Sequence, residues 1–135
     1  MKSISVFCGS SFNGDLALLQ VIEQLADAFT RRDITLVYGG ANVGMMGILA
    51  DAVLSRGGRV IGVLPQFLMD KEVAHTGLTE LHIVDSMHAR KQLMSELSDG
   101  TITIPGGIGT LDEFFEIYTW LQLGLHNNPI GLLNV

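Results

Sequence analysis

The chain has 135 residues, of which 47% are hydrophobic and 16% are charged, and its net charge at pH 7 is −6. This length suits one domain over residues 1–135, and the apolar content excludes an intrinsically disordered chain. Eight basic residues against 14 acidic ones do not suggest the basic face of a nucleic-acid-binding protein. The single cysteine, the absence of a signal-peptide pattern and the short apolar stretches predict a soluble cytoplasmic protein without a membrane partner.

Short β-type segments alternate with segments of helical length along the chain. The first helical segment has apolar residues at helical spacing, as at Ile22, Ala26 and Phe29. Gly57 predicts the end of the second helix, and Ser86 predicts the N-cap of a later one. The predicted strands are residues 4–8, 34–38, 60–64, 81–84, 101–104 and 130–135. The predicted helices are residues 16–31, 44–55, 86 to about 97 and 110–123, with irregular structure or a short helix over 66–79.

This order of elements predicts an α/β fold. The strands are apolar along their whole length, which is typical of strands buried on both faces of a parallel sheet. Repeated βα units of this kind predict a Rossmann-like, doubly wound, mostly parallel sheet with helices on both faces. Sheets of this class bind ligands at the carboxyl ends of their strands, near the point where the strand order reverses.

Eight of the 16 glycines lie in three turns that lead from a strand to a helix. Glycine permits positive φ and lets backbone N–H groups approach a ligand, and the following helix N-terminus favours an anion. A tight turn needs glycine for its geometry alone, so one such loop is weak evidence. Three loops at one edge of the sheet favour a phosphate-bearing ligand. These glycines are Gly9, Gly39, Gly40, Gly44, Gly47, Gly106, Gly107 and Gly109.

The spacing of these glycines disfavours two familiar nucleotide sites. No glycine precedes a lysine in the pattern of a Walker A loop. The dinucleotide fingerprint G-x-G-x-x-G begins at Gly107, but Asp112 stands at the position of its third glycine. A nicotinamide-dependent dehydrogenase is therefore disfavoured. The histidines show no metal-ligand spacing, and neither a metal nor another cofactor is expected.

Charged residues accompany the glycine loops, and each has two interpretations. Thr110 and Glu113 have the spacing of a capping box, but Glu113 also lies where a bound nucleotide would be. Adjacent cations such as Arg90 and Lys91 are usually solvated. Near a helix N-terminus they are unfavourable for the helix dipole, and an anion at the adjoining strand end would explain their position.

Four motifs make the sequence similar to one family. CGSS, YGGANVGMMG, MHARK and PGGIGTLDE, in this order and spacing, resemble the LOG ("Lonely guy") family of cytokinin riboside 5'-monophosphate phosphoribohydrolases, often labelled lysine decarboxylases. The resemblance covers residues 4–135, and its most specific part is the pair MHxRK and PGGxGTxxE. It implies a Rossmann-like fold, a homodimer and hydrolysis of the N-glycosidic bond of AMP-type, often N6-modified, nucleotides to free base and ribose 5-phosphate.

The resemblance also implies roles for the residues in the matching motifs. Arg90 and Glu113 correspond to the catalytic pair of the family. The implied nucleotide contacts are Glu72, Lys91, Gly106, Gly107, Ile108, Gly109, Thr110, Asp112 and Thr119. Four further residues are expected to flank the same cleft, namely Ser10, Ser11, Gly40 and Gly44.

The sequence departs from the family pattern in three places. Ala41 and Met45 stand in a loop that is commonly GGGxxGLMG, and Asp112 replaces the first acid of the usual TLEE. Family members also commonly continue past the position of Val135 into a further segment and a C-terminal helix, so the chain is expected to be short relative to the family.

The implied reaction suggests a mechanism. Cleavage of the glycosidic bond builds positive charge on the ribose, and a carboxylate near the anomeric carbon, assigned here to Glu113, stabilises that charge and orients water. Arg90 would hold the substrate and keep Glu113 ionised, and the PGGIGT loop would bind the 5'-phosphate. The alternative is a nucleotide-binding or carrier protein that does not cleave its ligand, which the capping-box interpretation of Glu113 fits. A pyridoxal-phosphate decarboxylase is disfavoured because no feature marks a Schiff-base lysine.

Overall fold

A computed structural model of the chain describes residues 1–9, 14–104 and 129–132. Within these residues the strands and helices alternate as the sequence predicts. The predicted helix over residues 110–123 lies outside the described residues. The strands are β1 (Ser3–Phe7), β2 (Thr35–Tyr38), β3 (Val60–Pro65), β4 (Glu80–Val84), β5 (Gly100–Thr103) and β6 (Ile130–Leu132). The helices are α1 (Leu16–Arg31), α2 (Gly44–Ser55), α3 (Met69–Glu72) and α4 (Met87–Glu96), with one 3-10 turn at Gln66–Leu68.

The strands form one parallel sheet in the order β4-β3-β2-β1-β5-β6. The chain builds outward from β1 to β4 and then crosses back to place β5 on the other side of β1. In register, Ser5 of β1 pairs with Val37 of β2 and with Thr101 of β5. The strand order therefore reverses between β1 and β5, which confirms the predicted doubly wound topology.

Neighbouring residues of a strand point to opposite faces of the sheet, so apolar strands give it two apolar faces. Helices cover both of these faces. Val6 packs with Ile22 of α1 and Leu49 of α2 in one buried cluster. Phe7, the next residue of β1, belongs to a second cluster with Met94 of α4. Thus α1 and α2 bury one face and α4 buries the other, as the apolar strands predict.

The edge strand β4 does not follow the prediction that the strands are buried on both faces. Its side chains Leu81 and Ile83 are exposed. The reason is position, because β4 has a strand on one side only and α2 packs over β2 and β3. An apolar composition alone does not separate an edge strand from a central one.

The predicted helix ends are confirmed by the local geometry. The Ser86 hydroxyl accepts a hydrogen bond from the Ala89 N–H at 3.0 Å and caps α4. After α2, Gly57 has a φ of +78°, a conformation that glycine adopts without strain. In the part of the chain that is described, no helix is both long and apolar enough to cross a membrane.

Candidate functional site

The side chain of Arg90 joins α4 to the carboxyl ends of two strands. Its Nε donates a hydrogen bond to the Val63 carbonyl oxygen in β3 at 2.9 Å, and its Nη2 donates to the Gly39 carbonyl oxygen, just after β2, at 2.5 Å. The side chain is only 4% exposed. Arg90 therefore lies inside the edge of the sheet where a doubly wound fold binds its ligands.

Glycine at position 39 makes room for this guanidinium. A Cβ added at Gly39 would overlap Nη2 of Arg90 and lie 2.9 Å from its Cζ. The next residue, Gly40, has a φ of +80°, and a Cβ there would come within 3.2 Å of Leu64 and Leu81 side-chain atoms. Gly39 thus accommodates the buried arginine, and Gly40 supplies the positive φ of the loop beside it.

Glu72, the last residue of α3, forms an ion pair with Arg90. Its Oε2 accepts a hydrogen bond from Arg90 Nη2 at 3.0 Å. The Glu72 side chain is 15% exposed, so it is more open to solvent than the arginine it neutralises. A buried guanidinium requires such a partner because an uncompensated charge away from water is strongly destabilising.

The N–H groups of Arg90 differ in whether they donate to oxygen atoms of the protein. Three of its five N–H groups, on Nε and Nη2, donate to oxygen atoms of Val63, Gly39 and Glu72. Among the described residues, Nη1 contacts only the sulfur of Met87, at 3.7 Å. Within the part of the chain that the structure describes, Nη1 donates to no oxygen and only to the weakly accepting Met87 sulfur, so this fixed, planar cation can also donate to an anionic or polar ligand.

The backbone immediately after Glu72 is strained. Val73 has a φ of +50°, which is rare for a β-branched residue. Its carbonyl oxygen accepts a hydrogen bond from the Asn42 N–H at 2.7 Å, and the His75 N–H donates to the Gly40 carbonyl oxygen at 3.0 Å. The loop after β2 therefore holds the segment that follows Glu72. The strained backbone of Val73 in this segment is of a kind that is concentrated at functional sites.

Tyr38, the last residue of β2, stabilises the same loop. Its hydroxyl donates a hydrogen bond to the Ala41 carbonyl oxygen at 2.8 Å. Burial raises the pKa of Tyr38 well above its usual range, so the phenol keeps its proton. It acts as a constant donor that fixes the glycine loop.

The structure decides one of the alternatives left open by the sequence. Arg90 and Lys91 are both buried, and Lys91 is only 5% exposed, so the solvated interpretation of this pair is wrong. The first turn of α4 directs both cations into the protein although its dipole disfavours positive charge. The ion pair with Glu72 compensates for this at Arg90.

Of the candidate residues, the structure brings Arg90 and Glu72 together and places Gly40 in the loop beside them. Gly44 is the first residue of α2 and has a φ of +53°. The described residues contain no group of three or more side chains able to hold a metal ion. Ten candidates lie outside the described residues, namely Ser10, Ser11, Gly106, Gly107, Ile108, Gly109, Thr110, Asp112, Glu113 and Thr119.

Two features of this edge are not evident from the sequence. The turn pattern explains Gly39 without indicating that Arg90 fills the space beside it, and no motif assigns a role to His75. The one available signal for His75 was its position three residues after Glu72, which does not reveal a partner on another helix. Its contact with Asp51 of α2 comes from the folding of the chain.

Comparison with known proteins identifies relatives along nearly the whole chain. The family model described as "possible lysine decarboxylase" matches residues 46–135. A cytokinin riboside 5'-monophosphate phosphoribohydrolase of Rhodococcoides fascians is 53% identical over 134 residues, which are 98% of this chain and 68% of that protein. A probable enzyme of the same name from Arabidopsis thaliana is 50% identical over 135 residues, covering 99% of this chain and 67% of that protein. The chain thus spans about two thirds of the length of these relatives.

Solved structures agree on the fold. An X-ray structure of a structural genomics target has a TM-score of 0.77 at 22% identity, covering 96% of this chain and 72% of that chain. The molybdenum cofactor binding protein of the phototrophic bacterium Rippkaea orientalis has a TM-score of 0.75 at 24% identity, covering 99% of this chain and 77% of that chain. At such identities the likeness concerns the fold alone. The family match and the two closely similar relatives place the chain in the LOG family of cytokinin riboside 5'-monophosphate phosphoribohydrolases.

Proposed function

We propose that this protein hydrolyses the N-glycosidic bond of AMP-type nucleoside 5'-monophosphates, N6-modified and cytokinin-like, to free base and ribose 5-phosphate. The names of relatives that are 53% and 50% identical support this chemistry. The observation that carries the proposal is the buried Arg90 guanidinium at the carboxyl edge of the sheet, whose Nη1 donates to no oxygen of the described residues. A fixed cation at that edge suits an anionic nucleotide.

In this mechanism Arg90 orients the substrate and does not exchange a proton, because an arginine stays charged at all relevant pH values. Its bonds to Val63 and Gly39 hold the guanidinium plane fixed, so little freedom is lost when a ligand binds. Glu72 directs one carboxylate oxygen to Arg90. We assign its other oxygen to accept a hydrogen bond from the nucleotide. Lys91 adds a second positive charge to the same helix turn.

The remaining roles fall to residues in the matching motifs. Glu113 stabilises the positive charge that develops on the ribose and orients the attacking water. The 5'-phosphate binds the PGGIGT loop, residues 105–110, through backbone N–H groups and the following helix N-terminus. Asp112 and Thr119 line the nucleotide, while Ser10, Ser11 and Gly44 flank the cleft.

The proposal extends to the form in which the protein acts. Residues 1–135 make up one nucleotide-binding and hydrolase domain, which functions as a cytoplasmic homodimer. Its partner is the nucleoside monophosphate, with no nucleic acid or membrane involved. The net charge of −6 supports the exclusion of nucleic acid, since no basic face is expected.

The test is a panel of nucleoside 5'-monophosphates that includes AMP and N6-isopentenyl-AMP, scored for free base and ribose 5-phosphate. We expect both products in equal amounts and a large loss of turnover in Glu113→Gln. Glu96→Gln, which changes an exposed glutamate of α4 bonded to Gln92, is the matched control and should retain full activity. Undiminished turnover in Glu113→Gln would remove Glu113 from the mechanism. Tight AMP binding without base release over hours would favour a non-catalytic nucleotide-binding protein.

A further inference from the structure

A second cluster of titratable side chains lies close to the Arg90–Glu72 pair and has no part in the mechanism above. His75 Nε2 is 2.7 Å from Oδ1 of Asp51, which belongs to α2. The other ring nitrogen of His75, Nδ1, accepts a hydrogen bond from the Gly77 N–H at 2.9 Å. The His75 side chain is 9% exposed, whereas that of Asp51 is 67% exposed.

An Asp–His pair often serves as a general base, but this pair lacks the required free nitrogen. Because Nδ1 accepts from Gly77, the ring proton resides on Nε2 and is donated to Asp51. Neither ring nitrogen then has a lone pair free to take a proton from water. The contact is therefore a structural hydrogen bond that joins α2 to the segment after α3.

This connection acts on a segment that other contacts hold near its two ends. Residues 73–79 lie between α3 and β4 and contain no helix or strand. Near their start, Val73 has the unfavourable φ of +50°, which the segment would relax if released. The backbone bonds from Asn42 to Val73 and from His75 to Gly40 tie the segment to the loop after β2. At its far end, Thr79 forms two hydrogen bonds with Val60 of β3 and Leu78 packs against the core, while the Asp51–His75 bond connects His75 to α2.

We propose that Asp51 and His75 are positioning residues that hold Glu72 at Arg90 and at the nucleotide. Asp51 is anchored in α2, whose residues Leu49, Ala50 and Val53 are buried in the core. Through His75 this rigid helix fixes the segment that begins at Glu72. Neither residue touches the reacting atoms, so their effect on catalysis passes through Glu72. The kinetic part of this inference rests on the proposed nucleotide hydrolysis.

The test compares Asp51→Ala with Asp51→Asn. The alanine variant removes the acceptor of the His75 N–H, whereas asparagine keeps an Oδ1 at that position. We expect Asp51→Ala to raise KM for the nucleotide about tenfold through the weakened Glu72 contact, with kcat within about twofold of wild type. Amide hydrogen exchange should rise over residues 72–79 and not in the sheet. Asp51→Asn should restore both readouts.

Two further variants separate positioning from general stability. His75→Asn keeps an acceptor for the Gly77 N–H but cannot reach Asp51, so it should reproduce Asp51→Ala. Asp27→Ala removes an exposed aspartate of α1 that pairs with Arg31 and should change neither KM nor exchange over residues 72–79. All four variants should keep a melting temperature within a few degrees, about 3 °C, of wild type.

Three results would overturn the inference. These are wild-type KM and exchange in Asp51→Ala, a loss that Asp51→Asn does not restore, and a rise in exchange throughout the sheet. If the wild-type protein releases no base from any nucleotide, the proposed function fails, and exchange over residues 72–79 alone decides the positioning role. In that case, unchanged exchange in Asp51→Ala still overturns it, and a local rise restored by Asp51→Asn still supports it.

Discussion

The guanidinium of Arg90 occupies the space in which a side-chain carbon of Gly39 would lie. A Cβ at that position would be 2.9 Å from Arg90 Cζ, while the Gly39 carbonyl oxygen accepts a hydrogen bond from Nη2 at 2.5 Å. Gly39 therefore supplies both the room and an acceptor for a buried cation. The requirement for glycine at this position comes from a residue 51 positions later in the chain.

Replacement of Gly39 by alanine should displace Arg90. The added methyl group overlaps the guanidinium, and overpacking of this kind costs about 1–3 kcal/mol in the free energy of unfolding. A displacement of about 1 Å at a positioning group can lower the rate about 100-fold, so we expect kcat/KM to fall by about that factor. Urea unfolding and initial rates of base release measure the two effects.

The matched control is Gly131→Ala in β6. A Cβ at Gly131 would meet only the Thr101 carbonyl oxygen at 3.8 Å and Ile102 Cγ1 at 3.9 Å, which are ordinary contacts. This variant should retain wild-type stability and activity. Full activity in Gly39→Ala would contradict the assigned role of the Gly39–Arg90 contact.

Replacement of Arg90 by lysine should be costly although the charge is kept. Lysine has one nitrogen and cannot bond to Val63, Gly39 and Glu72 with the geometry of the guanidinium fork. A buried carbonyl left without a donor costs about 1–3 kcal/mol, so the free energy of unfolding should fall by about that amount. Activity should also fall steeply, as measured by base release.

Arg56→Lys is the control for this substitution. Arg56 also bonds to a backbone carbonyl, that of Ala52, and to a carboxylate, that of Glu23, but it lies at the surface. Exposed pairs contribute about 0–1 kcal/mol, so this change should have little effect. Equal destabilisation by the two substitutions would show that burial of Arg90 does not determine its contribution.

The fold was largely predictable because its signals are local. Apolar runs predict the strands, and the predicted strand over residues 60–64 is found as β3, which includes Pro65 as one further residue. The Ser86 cap predicts where α4 begins, since its hydroxyl bonds only three residues away. The exposure of Leu81 and Ile83 was not predictable, because it depends on which strand lies at the edge of the sheet.

The candidate site was predictable in part. The motif resemblance selects Arg90 and Glu72, but their contact joins residues 18 positions apart on separate helices. No sequence periodicity connects residues at such a distance. The same holds for His75 and Asp51, which are 24 positions apart. Contacts set by tertiary packing become visible only once the crossover connections place α2, α3 and α4 around the ends of β2 and β3.

The carboxylate of Asp99 should make the free energy of unfolding fall as the solution becomes acidic. Its Oδ2 accepts hydrogen bonds from the backbone N–H groups of Lys2 at 2.7 Å and Ser3 at 3.1 Å, which lower the pKa of Asp99 below its usual range. A lowered pKa means that the stabilisation is present above the unfolded value and disappears as the pH falls through the folded value. Asp99 thus helps to fasten the start of β1 at neutral pH.

Asp99→Asn should therefore be less stable than wild type at pH 7, because a neutral amide oxygen is a weaker acceptor than a carboxylate. The difference should begin to shrink as the pH falls below about 4, where the carboxyl group of the unfolded chain takes up its proton, and should disappear at the lower pH at which the folded carboxyl group is protonated. Urea unfolding of both proteins at several pH values measures the difference directly. A difference that stays constant from pH 7 to about pH 3 would contradict the role of the charged form.

Thr103, at the end of β5, carries a buried hydroxyl whose Oγ1 has no hydrogen-bond partner among the described residues. Valine has the same shape without the polar atom, and replacing an unpartnered buried polar group removes its desolvation penalty. We expect Thr103→Val to raise the free energy of unfolding by about 1 kcal/mol. Ser98→Ala is the contrast, because the Ser98 hydroxyl donates to the Met94 carbonyl oxygen at 2.6 Å, and its loss should cost about 1 kcal/mol. Urea unfolding of the two variants should thus shift in opposite directions, and destabilisation by both would mean that the Thr103 hydroxyl is satisfied in the folded protein.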